Sequence, residues 1–69
     1  MEDNNDRFKR IASRRTNEII EKIRILGNCA NKNAYSFTDR DVRKIFNAIE
    51  QELRRTKDKF RVLEDEFTL

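Results

Sequence analysis

Histidine, proline and tryptophan are absent from these 69 residues, and glycine, cysteine, methionine and tyrosine occur once each. Without histidine, no credible ligand set for a structural zinc site exists, and general acid–base chemistry at neutral pH loses its commonest side chain. A single cysteine, Cys29, excludes an intrachain disulfide. A single glycine, Gly27, excludes a Gly-rich phosphate loop. No apolar run has the length of a signal-peptide core or a membrane span, and Ile23 to Leu26 is already broken by Arg24. These absences lead to an expectation of a cytoplasmic chain with no membrane partner, no metal and no cofactor, and not an enzyme. Cys29 is expected to be a half-buried loop thiol just beyond a helix C-terminus, where the negative end of the dipole disfavours a thiolate. Glu50 and Glu52, the nearest approach to a carboxylate pair, point in different directions on a helix.

What is present is periodicity. Phe37-Thr38-Asp39-Arg40-Asp41-Val42 reads as a helix start: Thr38 is the N-cap, Asp41 can bond back to it, and Phe37 and Val42 have the spacing of a hydrophobic staple. Val42, Phe46, Ile49, Leu53, Thr56, Phe60, Leu63 and Phe67 then recur in alternating steps of four and three, an a/d seam with one polar member, Thr56. Ile45 widens the stripe. No glycine or proline interrupts residues 38–69, and Asp39/Arg43, Glu50/Arg54 and Asp58/Arg61 sit at helix-supporting spacings. The pattern predicts one helix over about 38–66, roughly 42 Å long.

Upstream, residues 1–6 read as a frayed lead-in in which Asn5 or Asp6 caps a first helix over about 7–26. Phe8, Ile11, Ala12, Ile19, Ile20, Ile23 and Leu26 share one face of that helix, with Thr16 among them. Gly27 stands where a left-handed residue would end it, and Asn28 is a second possible stop. Residues 27–37, rich in asparagine, predict a structured loop in which Tyr35 and Phe37 fold back to close the core.

Two helices so joined pack most simply as an antiparallel hairpin, a single all-α domain over residues 1–69. Its expected core is Phe8, Ile11, Ile19, Ile23, Leu26, Val42, Ile45, Phe46, Ile49, Leu53 and Phe60. A core of this size seldom leaves more than roughly 3–5 kcal/mol after conformational entropy, so a partner is expected. The predicted helix lengths agree: the first helix reaches only to about Phe60, leaving Leu63 and Phe67 uncovered. Phe60, Leu63 and Phe67 are therefore the candidate oligomer interface, and a homodimer forming a four-helix bundle is the simplest solution.

Charge is uneven. Residues 1–34 hold eight Lys/Arg against five Asp/Glu, and residues 35–69 hold eight against eight. Arg7, Lys9, Arg10, Arg14 and Arg15 form one basic cluster, and Arg54, Arg55, Lys57, Lys59 and Arg61 a second, opposed only by Asp58. An antiparallel hairpin would bring both to one end, making Arg7, Arg10, Arg14, Arg54, Arg55 and Lys57 candidate phosphate contacts. The competing expectation is a solvated surface, since charge runs usually are that, and no helix-turn-helix, zinc finger or aromatic-studded sheet accompanies them. Arg15, at the edge of the apolar stripe, is expected to pair with a glutamate of the second helix or to project into an interface. The first expectation for function is thus a protein–protein interaction or accessory module, and the second is nucleic-acid binding through the basic end.

The segments Arg14-Arg15-Thr16-Asn17, Ile25-Leu26-Gly27-Asn28-Cys29-Ala30-Asn31-Lys32 and Tyr35-Ser36-Phe37-Thr38-Asp39-Arg40-Asp41-Val42-Arg43-Lys44-Ile45-Phe46 together resemble short uncharacterised bacterial proteins associated with plasmids and other mobile elements. The resemblance spans most of the chain, rests on a loop-and-cap pattern and carries no catalytic motif. It implies a bacterial, cytoplasmic protein and no particular activity.

Overall fold

The computed structural model describes residues 2–60, and among them the chain is all-helical, with two α-helices and no strand. It divides into two compact units, residues 1–36 and 37–69, each built around one helix.

In the first unit, α1 runs Asn4–Gly27, 24 residues. It starts three residues before the predicted 7 because Asp3, and neither Asn5 nor Asp6, is the cap. The Asp3 carboxylate accepts from the Asp6 backbone N–H at 2.7 Å, and its carbonyl accepts from the Arg7 N–H at 3.0 Å. That choice leaves Asp6 inside the first turn, where its charge meets the positive end of the dipole. Asn4, Asn5 and Asp6 are thus helical and not a lead-in.

At the other end Asn28, the second of the two expected stops, is the C-cap, and the left-handed glycine is not used. Gly27 is right-handed, with φ −59° and ψ −23°, and the chain tightens into a 3₁₀ turn over Asn28–Ala30. A left-handed stop is unnecessary because the Asn28 N–H donates to the Ile25 carbonyl, continuing the helix in a narrower form. The asparagines then act as anticipated: Asn31 accepts from the Asn33 N–H through its side chain at 3.0 Å, and from the Ala34 and Tyr35 N–H groups through its carbonyl. Cys29 lies in the 3₁₀ turn and is exposed, not half-buried, and Tyr35 is exposed as well.

In the second unit, α2 runs Asp39–Asp58, 20 residues, behind a complete capping box. The Thr38 hydroxyl accepts from the Asp41 N–H at 3.1 Å, and the Thr38 N–H donates to the Asp41 carboxylate at 2.9 Å. Phe37 and Val42, the staple pair, are both half-buried. The helix does not continue to 66. Lys59 and Phe60 form a turn whose N–H groups reach back three residues, to Thr56 and Lys57. Two local forces favour a stop here. The Thr56 hydroxyl bonds the Glu52 carbonyl at 3.0 Å, a back-bond that weakens the ladder, and Arg55 and Lys57 place cations on the negative end of the dipole. Leu63 and Phe67 lie outside the described residues.

With α1 at 24 residues and α2 at 20, α1 is the longer helix among the described residues, so the length mismatch that motivated an uncovered tail is not present there. Nor is any described side chain buried. Of the expected core, Ile11, Leu26, Val42 and Ile49 are half-buried and the others exposed. One amphipathic helix supplies half of a core, and burial needs a second apolar surface laid against it.

Candidate interaction surface

α2 presents the sharper surface. Val42, Ile45, Phe46, Ile49 and Leu53 lie on one face of the helix, and Phe46 and Leu53 are 47 and 57 % exposed. The remaining faces carry Asp, Glu, Lys and Arg. Of the candidate interface residues, Phe60 lies in the turn that follows α2 and is 49 % exposed, continuing in sequence the stripe that begins at Val42. On α1, Phe8, Ile19, Ile20, Ile23 and Ile25 are also exposed, spread more broadly around the helix.

The candidate phosphate contacts are found on both helices, and half of them are already engaged. Arg10 meets Glu2 in a two-pronged pair at 2.9 and 3.0 Å. Helical side chains lean toward the N-terminus, which lets Arg10 reach a residue standing outside the helix. The Glu2 carboxylate holds the Arg10 guanidinium even above its ordinary pKa, with a slight opposing effect of burial. Arg14 approaches Glu18 at 4.0 Å and Arg55 approaches Glu52 at 3.1 Å. Arg7 donates to the Asn4 side-chain carbonyl at 3.4 Å. Arg54 and Lys57 lie on α2, exposed. The continuous helix does put Arg7, Arg10 and Arg14 on one face, but Glu18, one turn on, shares it. The Arg14/Glu18 spacing was readable as a helical pair, whereas Glu2 and Arg10, eight apart, have no helical signature. Arg55 takes Glu52 where Glu50/Arg54 was the expected pairing on that turn.

The Asp41 carboxylate has a lowered pKa. It is held below the usual range by the Thr38 backbone N–H first and the Thr38 side chain second, with Lys44 adding and slight burial opposing. This is cap chemistry and belongs to the helix start. Among the described residues no group of three or more His, Cys, Asp or Glu is placed to hold a metal ion, and no helix is long and apolar enough to cross a membrane. Comparison with protein-family models, with curated proteins and with solved structures finds no match to this chain.

Proposed function

We propose that the chain is a protein–protein interaction module, an accessory protein that acts by association and not by catalysis. In this reading the two helices form an antiparallel hairpin, and two hairpins join as a homodimeric four-helix bundle. The observation that carries it is the α2 stripe: five large apolar side chains on one face, none of them buried, with an exposed sixth, Phe60, in the turn that follows.

Magnitudes favour a bundle over a lone pair of α2 helices. Covering the exposed half of each such side chain is worth on the order of 1 kcal/mol, so two stripes of six supply about 12 kcal/mol gross. Association alone costs an estimated ~4–15 kcal/mol. One stripe per copy is then marginal, and the apolar face of α1 must contribute too. Nucleic-acid binding through the basic end is the weaker reading, because Arg10, Arg14 and Arg55 each have a carboxylate partner within their own helical unit.

Sedimentation at micromolar concentration is the test. The wild type sediments as a dimer, and Leu53→Asp, which puts a charge in the middle of the stripe, shifts it to monomer and lowers helicity. A wild type that is monomeric over this range with full helicity refutes the reading.

A further inference from the structure

The charges bordering the α2 stripe are arranged so that they complement a second copy of themselves. With Val42, Ile49 and Thr56 at d and Phe46 and Leu53 at a, one edge of the seam carries Arg43, Glu50 and Lys57, and the other Ile45 and Glu52; Lys59, the right-handed C-cap, and Phe60, in the turn after α2, continue the same repeat in sequence. On each edge an acid is followed by a lysine seven residues later. Glu50, Lys57 and Lys59 enter no ion pair among the described residues. Glu52 holds Arg55, but with both side chains more than 60 % exposed that pair exchanges at little cost. At the edge of the α1 stripe Arg15 and Lys22 are themselves cations, and Glu18, seven residues after Ile11, already faces Arg14.

We propose that α2 docks on α2 of a second copy in antiparallel orientation, Glu50 against the partner's Lys57 and Glu52 against the partner's Lys59. This rests on the homodimer reading above and names its pairing. Two-fold symmetry makes each contact twice, giving four opposite-charge pairs. In that register Ile49 meets the partner's Phe60 and Leu53 meets the partner's Thr56. Thr56 tolerates the apolar neighbour because its hydroxyl is already bonded to the Glu52 carbonyl. Sliding the pairing by one heptad in either direction sets Glu52 against the partner's Glu52 or Lys57 against the partner's Lys57. Among the described residues a parallel pairing retains only Glu52 against the partner's Lys57, and it stacks Thr56 on the partner's Thr56. The charges thus select one orientation and one register, which is the usual work of such edge positions.

The experiment uses two double variants, Glu50→Lys/Glu52→Lys and Lys57→Glu/Lys59→Glu, followed by sedimentation and helicity. Each alone has like charges along both edges, and its dimer dissociation constant rises roughly tenfold or more. Mixed one to one, they form a heterodimer at wild-type affinity, a rescue that misfolding of either variant would not permit. Glu50→Lys alone weakens the antiparallel dimer, whereas a parallel pair would leave it unchanged, because Glu50 then borders Ile45. A dimeric wild type with silent charge variants, no heterodimer on mixing, or an inert Glu50→Lys overturns the pairing while leaving the homodimer in place. A monomeric wild type overturns both.

Discussion

Replacing Thr38 by alanine tests the best-defined local structure in the chain. The substitution deletes the hydroxyl that accepts from the Asp41 N–H at 3.1 Å, but leaves the residue 38 N–H free to donate to the Asp41 carboxylate, now 2.9 Å away. Half of the capping box therefore survives. Loss of an N-cap side chain typically costs about 1 kcal/mol, with a range of roughly 0.5–2, and the surviving half argues for the middle of that range or below. For a chain of this length about 1 kcal/mol lowers Tm by roughly 4–8 °C. Circular dichroism melts at one fixed protein concentration measure it, since self-association makes Tm depend on concentration. Thr38→Ser keeps the acceptor and melts with the wild type. Combining Thr38→Ala with Asp41→Ala removes both bonds, and the double variant melts below either single because each single leaves one bond in place. If Thr38→Ala melts with Thr38→Ser, or the double variant melts no lower than a single one, the reciprocal cap does not hold the start of α2.

Three further outcomes follow from the same geometry. Gly27→Ala stabilises α1 by about 0.5 kcal/mol, because φ is negative there and a Cβ meets nothing within 4 Å; a fall in helicity would mean that Gly27 is left-handed after all. Asp41 has a folded pKa below its unfolded value of about 3.9, so its stabilisation is complete above that value and is lost as pH falls through the lower, folded one. An acid titration should accordingly cost wild-type helicity that Asp41→Asn, already without the charge, does not lose. Titrated with duplex and single-stranded DNA across a salt series, the protein binds no tighter than ordinary non-specific affinity, about 10⁻⁴–10⁻⁶ M at physiological salt, and Arg10→Ala and Arg14→Ala leave the slope unchanged. A steep slope that each substitution reduces by about one would restore the nucleic-acid reading.

Local signals were legible where residue types at fixed spacing leave one solution. Thr38 and Asp41 are three apart with a staple pair outside them, and the cap forms as that spacing requires. Near the N-terminus the spacing is ambiguous. Asp3, Asn4, Asn5 and Asp6 are all capping types, and nothing in their order says that Asp3 takes the role and that Glu2 reaches Arg10. At the far end of α2 the apolar repeat runs on past the point where the helix stops. Periodicity reports which residues share a face if the helix continues, but the stop depends on hydrogen bonds such as Thr56 to the Glu52 carbonyl, which the repeat does not encode. The candidate site was legible as a stripe and illegible as a surface with a place. Alternation of threes and fours identified Val42 to Phe60, while Leu63 and Phe67, chosen from a comparison of helix lengths, lie outside the described residues.

That relocates the argument for association from the tail of the chain to the middle of α2. An isolated helix of 20 residues is near the length at which helices in water become marginal, and α2 has no buried side chain to raise its stability. Its cap fixes where it starts, but a cap of about 1 kcal/mol does not offset the ordering of twenty residues. The apolar stripe does so once something covers it. In the proposed homodimer, folding of α2 and burial of Phe46, Leu53 and Phe60 are therefore one coupled event, and the residues that specify the partner are the same ones that determine whether the helix is formed.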